Sequence, residues 1–369
     1  MKRVFCVFLV AALLVCALAG CGSGGANQSN TPQGGESPQQ SAGSASPTAG
    51  GVVNVYNWGE YIDPSLLTQF TQETGIKVNY RTFDTNESLY SVLKQGGVSY
   101  DVIVPSDYMA SRMISEGMLE KLDLSNIPNA GLMSDNFKNQ PYDPTGEYTV
   151  PYMWGVTGLI YNTKMVQSAP DSWGALFDPQ YKGQILMFDN SRDAFGVALQ
   201  YLGYSVNTTN MDELNAAFDL LKQQKPLLQA YVMDQIYDKL ESGEAALGPY
   251  YGGDFLSMLE NNPDLAFVFP KEGSNIFVDL MCIPKGAANK QNAEVFINFM
   301  SRTDVSMQNS EYIGYTSPNK EVEGQIQLDD LARSIMYPSQ DVLNRSEFYT
   351  NLPQNILDAY DNFWVELKK

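Results

Sequence analysis

Histidine is absent from all 369 residues. Without it there is no Ser-His-Asp or Cys-His nucleophile, no histidine-bound zinc and no imidazole acid–base group near neutral pH. Cysteine is almost as scarce. Of the four, Cys6 and Cys16 fall in a leader read as removable, which leaves Cys21 and Cys282. Two residues so far apart provide neither a disulfide framework nor a thiolate metal cluster. Positive charge is also short, with 23 Lys and Arg against 42 Asp and Glu. Nucleic acid demands clustered cations, so it is excluded as a partner. A cationic ligand suits such a body better, although net charge mostly governs solubility. No Gly-Lys-Ser/Thr phosphate loop is present, so the chain is no P-loop ATPase. No cofactor and no metal is implied, and most enzyme classes are strained by these absences.

Long apolar runs are missing too, apart from Val4–Ala19 behind Lys2-Arg3. That stretch is short for a membrane-spanning helix of roughly 20 residues and reads as an export signal over residues 1–20. Its removal leaves 21 basic against 42 acidic residues, a net charge of −21. Leu18-Ala19-Gly20-Cys21 resembles the lipobox of bacterial lipoproteins, which implies an acylated Cys21 as mature N-terminus and anchorage to the outer face of the cytoplasmic membrane. The alternative is an ordinary signal cut nearby, with Cys21 incidental. Residues 22–50 hold Gly, Ser, Pro, Gln, Asn, Thr and Ala with Glu36 as their single charge. Such a segment cannot bury enough apolar surface to offset ordering, so a disordered tether spanning roughly 30 Å is expected.

Gly51–Lys369 is longer than one hydrophobic core usually serves, so two lobes are expected. Strand and helix signals alternate from its start. Gly51–Tyr56 alternates as a strand, Asp63-Pro64 opens a helix that Gly75 closes, and Ile76–Phe83 is a second strand. Glu87–Lys94 follows as a helix and Asp101–Val104 as a strand. Further strands are read at Ile185–Phe188, Ala245–Leu247 and Ala266–Phe269. Ala293, Phe296, Ile297 and Met300 lie at helical spacing and read as core. The alternation argues an α/β fold with mostly parallel sheets flanked by helices.

In such sheets ligands sit beyond the carboxyl ends of the strands. There the sequence places Asn57-Trp58-Gly59-Glu60-Tyr61, Ser106-Asp107-Tyr108, Asn190-Ser191-Arg192-Asp193 and Tyr250-Tyr251-Gly252-Gly253-Asp254. Asn275-Ile276-Phe277-Val278-Asp279 precedes another apolar run. Carboxylates and aromatic rings recur together, with Arg192 the exceptional cation. Protonated amines want carboxylate acceptors and ring faces, and a methylene chain between amines wants flat apolar walls. A metal site of hard oxygens would need the acids without the rings. Each acid taken alone reads equally well as a helix cap. Trp154, Trp173 and Cys282 are assigned to packing, and Asp107 is read as facing solvent. Glu60 reads either as a ligand contact or as a residue behind one.

With these residues laid out, the chain resembles the extracytoplasmic spermidine/putrescine-binding proteins of polyamine ABC transporters. The resemblance is carried by Tyr56-Asn-Trp-Gly-Glu-Tyr-Ile, Phe70-Thr-Gln-Glu-Thr-Gly-Ile-Lys-Val and Tyr100-Asp-Val-Ile-Val-Pro-Ser-Asp-Tyr. Val150-Pro-Tyr-Met-Trp-Gly, Phe269-Pro-Lys-Glu-Gly and Ile313-Gly-Tyr-Thr-Ser-Pro-Asn add to it. It implies a two-lobed, type II periplasmic-binding-protein fold with the ligand cleft between lobes: residues 51–155 with 279–322, and 156–278 with 323–369. The implied polyamine contacts are Trp58, Gly59, Glu60, Tyr61, Ser106, Tyr108, Asn190, Asp193, Tyr251, Asp254, Phe277, Asp279, Tyr315 and Tyr349. Asn190 stands where the family has an acid, and Tyr251 and Phe277 where it has larger rings. Asp254 resembles the putrescine type and Asp193 the spermidine type, so the preferred amine stays open.

The resemblance further implies a non-enzymatic monomer that docks on the permease subunits of an ABC transporter. The competing expectations are a receptor for another solute such as a sugar or Fe³⁺, a glycosidase working through a carboxylate pair, and a polyamine sensor accessory.

Overall fold

The computed structural model describes residues 50–97 and 99–369. The export signal, Cys21 and nearly all of the tether therefore lie outside the described residues. No helix among the described residues is long and apolar enough to cross a membrane.

The described strands are β1 (Gly51–Trp58), β2 (Ile76–Phe83), β3 (Val102–Ile103), β4 (Thr149–Asn162), β5 (Ile185–Phe188), β6 (Leu228–Val232), β7 (Leu247–Tyr251), β8 (Leu265–Val268), β9 (Asn275–Cys282) and β10 (Glu347–Phe348). The helices are α1 (Pro64–Thr74), α2 (Asn86–Gln95), α3 (Asp107–Ser115), α4 (Ser191–Tyr201), α5 (Met211–Gln224), α6 (Ile236–Glu241), α7 (Gly252–Asn261), α8 (Lys290–Met300), α9 (Thr303–Ile313), α10 (Asp330–Met336), α11 (Gln340–Asn344) and α12 (Gln354–Lys368).

Local chemistry sets these limits. Asp63 accepts the Ser65 N–H at 2.9 Å with Pro64 in the first turn of α1, and Gly75 ends that helix at φ 73. Thr85 and Ser88 cap α2 reciprocally. The apolar stripe read at Ala293, Phe296, Ile297 and Met300 is buried on α8, as its spacing requires. One strand differs from the reading. The run placed at 245–247 lies at Leu247–Tyr251, because Tyr250 and Tyr251 continue the ladder against Gly158 and Thr157 of β4 before α7 begins.

The strand order is β2-β1-β3-β9-β4-β7-β5-β6, with β10 beside β9 and β8 beside β4. Parallel pairs lie toward the outside (β1–β2, β1–β3, β5–β6, β5–β7), whereas β9 and β4 run antiparallel to their central neighbours. The sheets are mixed for a physical reason. The fourteen-residue β4 pairs with β9 through Val156 and with β7 from Thr157, so a single strand leaves one layered sheet and enters the next.

Separate cores follow from that crossing. One is built around Trp173, Phe188, Phe195, Phe255 and Tyr360. Two others flank the first sheet, around Phe70, Phe296 and Phe299 and around Leu89, Met109 and Met113. Trp173 is fully buried and donates to the Gly273 carbonyl at 2.9 Å, and Cys282 is a buried free thiol, both in packing roles as read.

Candidate functional site

The acids enter this fold by two routes. Asp107, Asp193 and Asp254 occupy the first turns of α3, α4 and α7, the helices that follow β3, β5 and β7. A helix N-terminus favours negative charge at such positions. Asp279 instead lies within β9, where two-residue alternation puts it on one face with Asn275 and Phe277. All four line one cleft of about 770 Å³, counting the space open at its mouth.

All fourteen residues singled out in the sequence line this cleft. Asp279 receives the Tyr61 hydroxyl on Oδ2 and the Ser106 hydroxyl on Oδ1, both at 2.7 Å. Asp193 receives the Tyr251 hydroxyl at 2.8 Å and the Asn190 amide at 2.7 Å, both on Oδ2. Asp254 receives the hydroxyls of Tyr237, at 2.5 Å, and Tyr315. These carboxylates thus bind side chains rather than serving simply as helix caps, while the capping of α4 falls to Asn190.

The rings form three contacting groups. Tyr61, Tyr315, Phe277 and Tyr251 meet in successive edge-on contacts with centroids 4.9, 5.9 and 5.2 Å apart. Tyr108 packs edge-on to Tyr349 at 6.0 Å, and Trp58 lies against Phe83 at 4.5 Å. Tyr349 also donates to the Arg192 carbonyl at 3.1 Å. Gly59 and the exposed Glu60 form the lip after β1, with Glu60 at φ 46. A Cβ on Gly59 would stand 3.3 Å from Asp234 Oδ2, so the lip after β1 closely approaches the loop after β6.

Burial pushes the carboxyl groups of Asp193, Asp254 and Asp279 up to about 6. Hydroxyl donors pull the other way, and like charges add to the rise: Glu87 on Asp193, Asp234 on Asp254, and Asp193 on Asp279. The cleft therefore holds desolvated negative charge that its own hydrogen bonds do not fully compensate.

Asp107 is a correction. Read as facing solvent, it is fully buried and lines the cleft, because the first turn of α3 directs its side chain inward. The reading also passed over Phe83, Asp84, Asn86, Met233, Asp234, Tyr250 and Asn275 in the lining. Asn275 carried a usable signal, since it shares the alternating face of Phe277 and Asp279. Asp234 follows β6, a strand the reading did not assign. Among the described residues, no group of three or more Asp, Glu or Cys side chains is arranged to hold a metal ion.

Glycines make room for the rings. A Cβ on Gly253 would fall 2.4 Å from the Tyr315 ring and one on Gly155 2.8 Å from Phe277. Gly253→Ala should push Tyr315 off Asp254 and weaken ligand binding by roughly tenfold, the worth of one buried hydrogen bond. The melting temperature should fall as well, because displacing a buried ring and its hydrogen bond outweighs the better helix propensity of alanine. A titration with unchanged affinity would show that Tyr315 needs no such clearance.

A cleft of rings and carboxylates beside a strand crossing between layered α/β sheets defines a solute-binding protein of the periplasmic type. The family model described as bacterial extracellular solute-binding protein matches residues 65–333. The spermidine/putrescine-binding periplasmic protein of Escherichia coli is 36% identical over 316 residues, covering 85% of this chain and 90% of that one. A putative spermidine/putrescine ABC transporter structure from Listeria monocytogenes superposes with TM-score 0.82 at 42% identity, covering 86% of this chain and 98% of that chain. The TpPotD lipoprotein of Treponema pallidum gives TM-score 0.78 at 30% identity, with 86% and 99% covered. The chain belongs to the bacterial extracellular solute-binding proteins and, within them, to the family of spermidine/putrescine-binding proteins of ABC transporters.

Proposed function

We infer that this chain is the extracytoplasmic receptor that binds spermidine, putrescine or both and delivers them to the permease of an ABC transporter. The observation that carries the reading is the convergence of buried Asp193, Asp254 and Asp279 with a belt of rings in one cleft. Ammonium groups supply the charge these acids lack, and tyrosine and phenylalanine faces line the path of the methylenes between them. No step of bond making or breaking is needed; the protein acts by binding alone.

The lobes run over 51–155 with 279–322 and over 156–278 with 323–369. The core around Trp173 and Phe195 and the core around Phe70 and Phe296 support that division, while Phe277, Val278 and Tyr349 pack with the cores of the first lobe. Site residues come from both, so a ligand bridging them favours a closed form, which is the form that docks on the permease. Anchorage through an acylated Cys21 accords with the lipobox-like leader and with the lipoprotein nature of the Treponema relative. The protein works as a monomer at the outer face of the membrane.

Calorimetry of residues 51–369 against spermidine, putrescine, a maltose-type sugar and ferric citrate tests the reading. Heat with the amines alone, and recovery of the amine unchanged, is the expected result. Sugar or ferric binding with silent amines would overturn it. Deletion of the gene with loss of labelled spermidine uptake separates transport from sensing.

A further inference from the structure

Both carboxylate oxygens of Asp254 and of Asp279 already accept a hydroxyl hydrogen bond, and Asp193 Oδ2 accepts two donors. Asp107 differs. Its Oδ1 accepts the Tyr108 N–H at 2.6 Å, but its Oδ2 is shut off from water and has no partner. Among the described residues no other carboxylate oxygen is buried in this state. The residue lines the cleft and shows no exposed surface. An unpartnered buried oxygen is costly to keep, so its presence beside a ligand cleft calls for a partner that arrives with the ligand.

The surroundings narrow what that partner is. Ser106, the preceding residue, bridges to Asp279 in the antiparallel sense and donates to its Oδ1. Asp107 thus stands next to Asp279 along the chain path, and the charges of Asp279 and Asp193 both act on it. Arg192 eases that charge without bonding it: its Nη2 is hydrogen-bonded to Asn207 and the Thr350 carbonyl and the group is stacked over Tyr349 at 4.5 Å, while its buried Nε and Nη1 have no hydrogen-bond partner. Tyr142 faces the group from the segment before β4. Burial holds the Asp107 carboxyl well above the usual carboxylate range, so it keeps its proton in the empty cleft and ionises when a cation arrives from the cleft side.

The geometry points to Asp107 as a further ligand contact, which with Asp279 forms a two-carboxylate clamp selective for a primary ammonium terminus. This rests on the polyamine reading above and adds to it the chemical feature that is recognised. A primary ammonium carries three N–H donors, and each needs an acceptor once water is excluded. Asp279 shares both oxygens with hydroxyls, whereas Asp107 Oδ2 is free to take the remaining donor. Alkylated nitrogens keep the charge but lose donors, so the clamp discriminates by hydrogen count rather than by charge.

The test is calorimetry on wild type and Asp107→Asn with putrescine and with N,N,N′,N′-tetramethylputrescine, which keeps both charges but one N–H per end. Asp107→Asn should weaken putrescine by roughly 10- to 100-fold, the worth of a charge-assisted bond. The tetramethyl compound, already weaker on wild type, should change by less than about threefold, the two ratios forming a double-mutant cycle. The empty variant should melt no lower than wild type, since asparagine keeps the Oδ1 acceptor for the Tyr108 N–H and replaces a carboxyl that burial already keeps protonated. Unchanged putrescine affinity, equal losses for both diamines, or a lowered melting temperature would each overturn the clamp. Failure of wild type to bind putrescine and spermidine at all would instead remove the polyamine reading, and the clamp with it.

Discussion

Asp279→Asn is expected to weaken spermidine binding by about 100-fold, the largest loss from a single substitution in the cleft. Asp279 sits at the centre of β9, fully shielded, with Tyr61 from the β1 side and Ser106 from the β3 side fixing both oxygens. Removing the charge leaves an ammonium with no ion to meet in a desolvated place, which costs about 2–5 kcal/mol in comparable buried pairs. The comparison variant is Asp212→Asn in the exposed first turn of α5, away from the cleft lining. There solvent and salt screen the charge, so a change within about threefold is expected. Calorimetry at one ionic strength reads both. Equal effects would mean that the cleft attracts cations by its overall field and that Asp279 holds no particular nitrogen.

That contrast between a shielded and an exposed acid also explains what was legible in the sequence. Strand-to-helix alternation fixed where acids of the first helical turns would gather, and Asp193 and Asp254 are found there, with Asn190 capping α4 beside Asp193. Period-two alternation through Asn275, Phe277 and Asp279 put those side chains on one face, although only the last two were taken. What local pattern does not encode is side-chain direction at a strand–helix junction. Ser106, Asp107 and Tyr108 all line the cleft, because the chain turns there from β3 into α3 and neither periodicity applies. Asp234 and Tyr250 were hidden for a related reason. Asp234 follows β6 and Tyr250 lies in β7, and both strands take their limits from pairing with distant partners, β5 and β4. The mixed sense of the central strands was likewise invisible, since it depends on β4 serving two sheets.

Affinity should fall steeply on acidification, and the sign follows from the cleft carboxyls. Burial pushes the carboxyls of Asp193, Asp254 and Asp279 up to about 6 in the fold, from about 3.9 for an ordinary aspartate. Between those limits the native state keeps protons the unfolded chain has released. These groups therefore stabilise the empty protein at low pH, and the contribution is lost as pH rises through about 6; for one such group it is about 3 kcal/mol. A polyamine binds the ionised form, its own amines staying protonated as lysine does near pH 10. Binding must then expel protons at pH 5 but hardly any at pH 7.5. One carboxyl at about 6 weakens binding roughly tenfold at pH 5, and three independent ones would give about 1000-fold. Asp193 also acts on Asp279, so the set titrates as a coupled unit. A loss of roughly 30-fold or more is expected.

The melting temperature of the empty protein is a poor readout alone, because Asp63 and Glu116 lie below their ordinary values and respond with the opposite sign. The ligand-induced rise in melting temperature isolates the cleft, and it should be larger at pH 7.5 than at pH 5. Calorimetry in buffers of different ionisation heat should show proton release near pH 5.5 that vanishes by pH 7.5. Constant affinity across this range would mean that the carboxyls are ionised throughout, and that burial does not govern their charge.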